Sequence, residues 1–167
     1  MADGQDSDAL RVVGPGSERE RYLDLLLLAD ESPEQVAGYM HDGDLFVFAD
    51  GPDADTGLVL VLYEADGSAE LKAVAVRPDR QGQGVGRRMV TRVLDRLRGT
   101  GVRRVTVATG NSGLAPLALY QKSGFRLWKI ERDFFSPERG YPEGMEENGI
   151  PLRDLVWLDL DLSPGCG

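Results

Sequence analysis

The residues with the clearest chemistry form a glycine-rich loop in the middle of the chain, Gly82-Gln83-Gly84-Val85-Gly86. An apolar strand-like run, Val74-Ala75-Val76, precedes the loop, and an amphipathic helical pattern follows it. Glycines let the backbone approach a ligand closely, and the first N–H groups of a helix have no partner inside the helix. The helix dipole adds partial positive charge there, and Arg87 and Arg88 add two cations. This arrangement favours a phosphate group.

The spacing of the glycines disfavours the two common nucleotide-binding loops. A dinucleotide-binding turn needs G-x-G-x-x-G, whereas Gly82, Gly84 and Gly86 are spaced as G-x-G-x-G. A P-loop needs Gly-Lys followed by Ser or Thr, but Arg87 follows Gly86. The next predicted strand also ends without the acidic residue that binds a ribose. A different phosphate-containing ligand is therefore expected.

Two signatures resemble those of the GNAT (GCN5-related N-acetyltransferase) superfamily. The first is Gln81-x-x-Gly84-x-Gly86 directly after the Val-Ala-Val run, which resembles the acetyl-CoA signature of that family. The second is the stretch 111–125, which carries an Asn, then Ala-Leu-Tyr, then Gly-Phe. Both lie in the expected order and separation, and the resemblance is sharpest over residues 69–132. It implies a GNAT fold that binds acetyl-CoA.

The resemblance also implies roles for particular residues. The main chain of Val74, Ala75 and Val76 would pair with the pantetheine arm as a further strand does, and its N–H groups could polarise the thioester carbonyl. The pyrophosphate would be wrapped by Gly82, Gln83, Gly84, Val85, Gly86 and Arg87. Asn111 would bind the pantetheine arm near its thiol end, and Tyr120 would protonate the departing thiolate. A phenol with a pKa of about 10 is protonated at neutral pH and can donate to a thiolate.

The amine also needs a group that accepts its proton, because an alkylamine with a pKa of about 10 is almost fully protonated at neutral pH. Several relatives carry a Glu at the position that Thr106 occupies, and Thr cannot act as a base. Glu70, on the preceding predicted strand, is the candidate catalytic base. The alternative is a water chain that ends in Asp133 or Glu138, with Glu70 as an ordinary solvent-facing residue.

The apolar periodicity predicts the elements that must position these groups. Strands are predicted over 10–13, 45–49, 58–63, 70–76, 102–108, 125–130 and 152–162, and helices over 17–28, 33–40, 84–97 and 114–123. Ser17 and Glu20 have the spacing of a capping box, and Ser32 precedes Pro33 as a second helix start. The predicted fold is α/β (α+β): one domain over 1–167, with a mixed six- to seven-stranded sheet flanked by about four helices. Residues 1–8 and 163–167 are predicted to be flexible tails.

The charge is distributed in three blocks. Residues 1–70 hold 17 acidic and 3 basic residues, 71–132 hold 3 and 14, and 133–167 hold 8 and 2, for a net charge of −9. The basic block suits an anionic ligand and the acidic blocks a cationic one. In the loop 133–150, Asp133, Glu138, Glu143, Glu146 and Glu147 alternate with Phe134, Phe135 and Tyr141. This loop could attract a cationic amine, or it could be a solvated acidic loop.

Several classes of protein are disfavoured by composition. The chain has one cysteine and one histidine, which leaves no disulfide, no Ser–His apparatus and no zinc cluster, so no metal is expected. Its overall acidity argues against nucleic acid as a main partner. The acidic N-terminus is unlike a signal peptide, and no segment has the apolar length of a membrane span. A cytoplasmic protein is expected.

The preferred interpretation is an acetyl-CoA-dependent N-acetyltransferase. It would act on a primary amine by direct attack in a ternary complex, since no residue is placed to form an acetyl-enzyme. The acceptor would be cationic: a small amine, an aminoglycoside-like compound or a peptidyl amine. The protein would be a monomer or a homodimer. The alternatives are a non-catalytic acyl-CoA-binding or regulatory module, which Thr106 makes conceivable, and an unrelated nucleotide-binding domain.

Overall fold

The computed structural model describes residues 8–52 and 55–164, which form a central mixed sheet of seven strands. The strands of this sheet are β1 (Asp8–Val13), β2 (Asp44–Asp50), β3 (Gly57–Tyr63), β4 (Ala69–Val76), β5 (Arg104–Gly110), β6 (Arg126–Glu131) and β9 (Leu155–Asp161). Two short strands, β7 (Glu146–Glu147) and β8 (Ile150–Pro151), pair with each other in a separate hairpin. The order in the sheet is β1-β2-β3-β4-β5-β9-β6. Here β4 and β5 are parallel, and the other neighbours are antiparallel.

Helices cover both faces of the sheet. The described residues form α1 (Ser17–Glu20), α2 (Leu23–Ala29), α3 (Pro33–Tyr39), α4 (Val85–Arg98) and α5 (Leu114–Lys122). One core cluster joins α4 and α5 to the first face, and a second joins α2 and α3 to the other face. The side chains of β2 alternate between the two clusters: Phe46 and Phe48 pack in the first, and Leu45 and Val47 pack in the second. None of the helices in the described residues is long and apolar enough to cross a membrane.

The strand β4 contains one extra residue relative to β3. Leu60 lies opposite Ala73 but Val61 lies opposite Leu71, so Lys72 is the extra residue of a β-bulge. The bulge changes which face the following side chains point to. Before it, Ala69 and Leu71 pack in the α4–α5 cluster; after it, Ala73 and Ala75 pack in the α2–α3 cluster.

The bulge coincides with the point where β4 and β5 separate. These strands pair at Ala69–Val105, Glu70–Thr106 and Leu71–Val107, and the pairing stops there. A bulge increases the local twist and bends its strand, which turns the remainder of β4 away from β5. The sheet is therefore split along half of β4.

The mixed sheet, the β2–β3 hairpin and the helix after the glycine loop confirm the predicted fold. The single helix predicted over 17–28 is wrong, because the chain breaks into α1 and α2 at Arg21 and Tyr22, which gives five helices. The predicted capping box is also wrong: Gly16 is the N-cap, and no side chain caps α1. The last strand starts later than predicted because the N–H groups of 153 and 154 bind a side chain instead. The predicted tails lie almost entirely outside the described residues.

The buried guanidinium of Arg19 joins three segments of the chain next to the break between α1 and α2. Arg19 is fully buried, and it donates from Nε to the carbonyl of Val13 (3.0 Å). Its two terminal nitrogens donate to the carbonyls of Met40 (3.2 Å), Asp42 (2.7 Å) and Gly43 (2.7 Å). One side chain thus joins the end of β1, the end of α3 and the turn before β2.

We expect Arg19→Met to lower the free energy of unfolding by about 3 kcal/mol, because buried carbonyls that lose a charged donor stay desolvated without a partner. The measurement is urea unfolding followed by circular dichroism. Arg21→Met, at an exposed position two residues away, is the matched control and should unfold at the wild-type midpoint. Equal midpoints for the two variants would contradict the role assigned to Arg19.

Candidate active site

The split between β4 and β5 opens into a cavity of about 360 Å³, which we call the β4–β5 cleft. On the side of α5 it is lined by Val74, Thr109, Gly113, Pro116 and Tyr120. On the side of α2 and α3 it is lined by residues from the end of α2, by Glu70 and by aromatic residues of the loop after β6. The cleft passes through the sheet and joins its two faces. Two reactants could therefore enter from opposite sides and meet inside.

The free edge of β4 presents backbone groups to the cleft. The N–H of Arg77 donates to the Thr56 carbonyl (2.9 Å), so the backbone N–H of Arg77 points toward the β3 side of β4. Because backbone groups alternate along a strand, the N–H and C=O groups of Val76 and Val74 point to the opposite side, toward the gap. The corresponding groups of Ala75 point to β3. Val74 and the N–H of Val76 thus offer an edge for another extended chain, while the Val76 carbonyl already accepts a hydrogen bond from the Gln81 side chain.

The glycine loop presents six consecutive backbone N–H groups, those of residues 82–87, that have no acceptor among the described residues. Gly82 and Gly84 have φ of +73° and +78°, and a Cβ at either position would meet no atom within 4 Å. The loop is held by its side-chain amides: Gln81 donates to the Val76 carbonyl (3.0 Å) and Gln83 to the Asp79 carbonyl (3.1 Å). A fixed row of free donors at the start of α4 fits the acceptor oxygens of a pyrophosphate.

The two arginines at the start of α4 differ in their partners. Arg88 binds Asp8 (3.1 Å) and Asp50 (3.2 Å), so it is not free to reinforce the phosphate site as predicted. Arg80 also binds Asp50. Burial tends to raise the pKa of Asp50, but Thr56 and both guanidinium groups outweigh it and hold that pKa below its usual range. Arg87 is exposed and has no carboxylate partner among the described residues, which leaves its charge for a ligand.

Tyr120 lies in the wall of the cleft. Its side chain is 5% exposed, and its ring packs edge-to-face on Phe125 at a centroid distance of 5.9 Å. The hydroxyl makes no hydrogen bond to any described residue. Burial raises the pKa of Tyr120 above its usual value, which keeps the phenol protonated. The structure places this group in the wall of the cleft, and its role as the acid stays a prediction.

Glu70 lines the cleft next to Thr106, its partner across the parallel pair. Burial raises the pKa of the Glu70 carboxyl, and Lys72 opposes that shift. The alternative bases lie elsewhere: Asp133 is exposed and 3.8 Å from Arg153, and Glu138 is exposed, so neither lines the cleft. Among these candidates, Glu70 is the one that the structure brings to the cleft, opposite Thr106.

Asn111 lies outside the cleft and is occupied by other contacts. Its side-chain NH₂ donates to the Pro151 carbonyl (3.0 Å), and its side-chain oxygen accepts from the N–H groups of Arg153 (2.9 Å) and Asp154 (3.0 Å). Asn111 therefore holds the segment between β8 and β9 in place. One amide hydrogen remains for a ligand, so contact with the pantetheine arm stays a prediction.

The α2–α3 side of the cleft is rich in carboxylates. Among the described residues that line it, Asp30, Glu31, Glu70 and Glu147 are acidic and Lys72 is basic. Glu147 is the one carboxylate of the predicted acidic loop that reaches the cleft. The excess of negative charge favours a cationic ligand on this side.

The sequence interpretation missed Asp30, which is the centre of a polar cluster. Tyr39 (3.3 Å) and Tyr141 (3.4 Å) donate their hydroxyls to its carboxylate, and the N–H of Ser32 donates to it as well (3.1 Å). Burial, together with Asp30, raises the pKa of Tyr141 to about 12. In the sequence Asp30 simply ends an apolar helical run, and nothing local distinguishes it from a solvated helix end.

Aromatic rings also line the α2–α3 side of the cleft, and three of them belong to the loop 133–150. Phe134 and Phe135 lie 5.1 Å apart, Phe135 and Tyr141 lie 4.9 Å apart, and Trp157 contributes from β9. Ring faces beside carboxylates attract an ammonium group both by charge and by cation–π contact. Elsewhere, no group of three or more His, Cys, Asp or Glu side chains in the described residues is arranged to hold a metal ion.

Comparison with known proteins agrees with this geometry. Residues 14–125 match the model of the acetyltransferase (GNAT) family. The uncharacterized N-acetyltransferase YvbK of Bacillus subtilis is 37% identical over 153 residues, which cover 92% of this chain and 97% of YvbK. A Bacillus subtilis acetyltransferase solved in complex with CoA superposes with a TM-score of 0.82 at 33% identity, covering 92% and 98% of the two chains. A GNAT acetyltransferase of Elizabethkingia anophelis with acetyl-CoA bound gives 0.81 at 30% identity, covering 94% and 99%.

We expect Gly84→Ala to weaken CoA binding at least about tenfold, because a Cβ at φ +78° strains the loop and shifts its row of N–H donors. Gly67→Ala is the matched control: Gly67 also has a positive φ (+85°) and open space around a Cβ, but it lies in the β3–β4 turn. Isothermal titration with CoA measures both. Equal affinities for the two variants would mean that the loop does not hold the phosphates.

Proposed function

The chain belongs to the GNAT family of acetyltransferases, and on that basis we propose that it transfers the acetyl group of acetyl-CoA to a cationic primary amine. The observation that carries the proposal is the β4–β5 cleft, where a free strand edge, a buried phenol and a half-buried carboxylate line one cavity. Family membership decides against the unrelated nucleotide-binding domain considered from the sequence, and the assay below distinguishes the transferase from a non-catalytic module.

The acetyl donor would bind along β4. Acetyl-CoA, when bound, supplies the thioester whose acetyl group is transferred. The N–H and C=O groups of Val74 and the N–H of Val76 would bind the pantetheine arm, and an N–H of that edge would polarise the thioester carbonyl. The N–H groups of residues 82–87 and the Arg87 guanidinium would hold the pyrophosphate. The side-chain hydrogen bonds of Gln81 and Gln83 hold this loop, which reduces the ordering that binding requires.

Two side chains would move the protons. An ammonium group has no lone pair, so Glu70 would first accept a proton from it, and the neutral nitrogen would then attack the carbonyl carbon; burial makes the Glu70 carboxylate a stronger base than a solvated one. Tyr120 would donate its hydroxyl proton to the sulfur as the C–S bond breaks. The nitrogen loses its second proton as the amide forms, so the ammonium loses two protons and the sulfur gains one. The Tyr120 oxygen takes back one of the two protons, and Glu70 releases the other to solvent. The products are an N-acetylated amine and a free thiol.

Direct attack in a ternary complex is supported by the lining of the cleft. The described lining residues include no Cys and no Ser that could form an acetyl-enzyme. The carboxylates and rings on the α2–α3 side support a cationic acceptor, either a small amine, an aminoglycoside-like compound or a peptidyl amine. The proposal includes a cytoplasmic location and a monomer or homodimer.

We expect thiol release from acetyl-CoA to depend on a cationic amine and to fall at least about tenfold in kcat for Tyr120→Phe, which keeps the ring but loses the acidic proton. The assay follows the free thiol colorimetrically with polyamines, aminoglycosides, amino acids and short peptides. Tyr63→Phe is the matched control, since Tyr63 is exposed, hydrogen-bonds Asp44 and does not line the cleft.

Each outcome of this assay has a distinct meaning. Amine-dependent release that Tyr120→Phe leaves unchanged would keep the transferase and remove Tyr120 as its acid. Tight binding of acetyl-CoA without release in the presence of any amine would overturn the proposal in favour of a binding module.

We expect Glu70→Gln to lower kcat about 100-fold near neutral pH, the lower end of what a general base contributes. A base must be ionised, so wild-type kcat should fall as the pH falls through the raised pKa of Glu70, and the variant should lose this limb. The control is Glu20→Gln, at an exposed position on α1 that is not among the groups acting on the pKa of Glu70. Burial disfavours the charged carboxylate, so Glu70→Gln should be at least as stable as the wild type. An unchanged pH profile would instead favour the water chain.

A further inference from the structure

The edge strand β6 exposes an apolar surface that nothing in the described chain covers. It is the last strand of the sheet, and its first five residues are all exposed. Leu127 is 62% exposed, Trp128 46% and Ile130 62%. Edge strands with large apolar side chains and free backbone groups are templates for pairing with another strand, and most proteins protect them with charges, prolines or a covering segment.

A bulge determines which way each side chain of β6 points. Leu127 pairs with Leu158 and Lys129 pairs with Trp157, so Trp128 is an extra residue. Leu127 and Ile130 share the face of the α4–α5 cluster, since their partners on β9 pack in it.

The other four residues of β6 share the opposite face, which carries Trp157. Arg126 and Lys129 lie there because they pair with Asp159 and Trp157. Trp128 packs edge-to-face on Trp157, and Glu131 accepts a hydrogen bond from the Trp157 indole (2.7 Å). The two faces of β6 therefore carry different chemistry, apolar on one and aromatic and charged on the other.

We propose that β6 is a dimer interface, in which it pairs antiparallel with β6 of a second copy of this chain. In the proposed register Arg126 lies opposite the partner's Glu131, Leu127 opposite the partner's Ile130, and Trp128 opposite the partner's Lys129. The two-fold axis repeats each contact, so every favourable pair occurs twice. Opposite charges, two aliphatic side chains, and an aromatic ring with a cation are all pairs that stabilise neighbouring strands.

The bulge at Trp128 makes this register possible. Residues opposite each other in an antiparallel pair must point to the same face. In a regular strand, Arg126 and Glu131 would point to opposite faces, because an odd number of steps separates them. The extra residue puts each of these pairs on one face. Arg126, Glu131, Trp128 and Lys129 lie on the face that carries Trp157, and Leu127 and Ile130 lie on the opposite face. A shift of one residue in either direction would place Leu127 or Ile130 opposite a residue of the other face.

The charges at the ends of β6 are available for this contact. Arg126 is exposed and forms no ion pair within the described residues, although other arginines of the chain do. Glu131 uses one oxygen for the Trp157 indole, which leaves its second oxygen free. Lys129 already lies over the ring of Trp128 (4.5 Å), so an equivalent contact across the axis needs little reorganisation.

The size of the interface indicates its strength. Six residues on each side are fewer than the 20–30 of a standard interface, which buries about 800 Å² per partner. We therefore expect a dimer with a dissociation constant of micromolar order, rather than an obligate one.

Sedimentation velocity of the full chain between about 1 and 200 µM tests the interface. The wild type should pass from monomer to dimer with a dissociation constant of micromolar order. Arg126→Glu and Glu131→Arg should each raise the dissociation constant at least about tenfold, because each variant places like charges opposite each other twice. An equimolar mixture of the two variants should dimerise again, since every pair in the mixed dimer is of opposite charge. Arg21→Glu, an exposed arginine on α1's side of the molecule, is the matched control.

The mixture separates an interface effect from misfolding, because a variant that fails to fold cannot be restored by a second variant. A wild type that stays monomeric throughout this range would overturn the proposal. So would Arg126→Glu dimerising as the wild type does. A mixture that stays monomeric while both single variants are folded would contradict the pairing of Arg126 with Glu131.

Discussion

One inserted residue, Lys72, is the constraint on which the rest of the structure depends. Without it, β4 would continue its ladder with β5, and the sheet would be closed along its length. With it, the side chains after the bulge exchange faces, and the strand leaves its neighbour with the N–H groups of Val74 and Val76 and the Val74 carbonyl unpaired on one side. Unpaired backbone groups in a protein interior cost about 1–3 kcal/mol each. The fold tolerates them because they border an open cleft in which water or an extended ligand can satisfy them.

Two polar side chains that line the cleft, Glu70 and Tyr120, lower the stability of the folded state. Burial raises the pKa of Glu70, so its carboxyl stabilises the folded state most when it is protonated, and this contribution is lost as the pH rises through the raised pKa. At neutral pH the charged carboxylate is therefore a destabilising feature. Tyr120 adds a buried hydroxyl with no partner in the described chain. A sequence selected for stability alone would carry apolar residues at both places, which is consistent with the chemistry proposed for them.

The sequence predicted those parts of the molecule that depend on local pattern. The glycine loop, the stripe of α4 and the alternation of the strands follow from neighbours within a few residues, and the structure has them where they were expected. Lys72, Arg19 and Asp30 were not foreseen, because each acts through contacts distant in the sequence. A bulge is visible only as a mismatch between two strands, and Arg19 is an ordinary helix residue until four carbonyls from three segments surround it. Asn111 was predicted to bind the pantetheine arm, which stays a prediction; the partners that the structure shows for its side chain lie 40 to 43 residues further along the chain.

The cleft and the exposed edge are connected through one residue of β9. Trp157 lines the cleft, packs on Trp128, and donates its indole N–H to Glu131. Two strands, β5 and β9, lie between the cleft and β6, and Trp157 on β9 contacts both the cleft and β6. Pairing of β6 with a second copy would hold Trp128 and Glu131 in place and, through them, the orientation of Trp157. The part of the cleft wall that Trp157 forms would then be more rigid in the proposed dimer than in the monomer. The reason is that Trp128 and Glu131, which contact Trp157, would also contact the second copy.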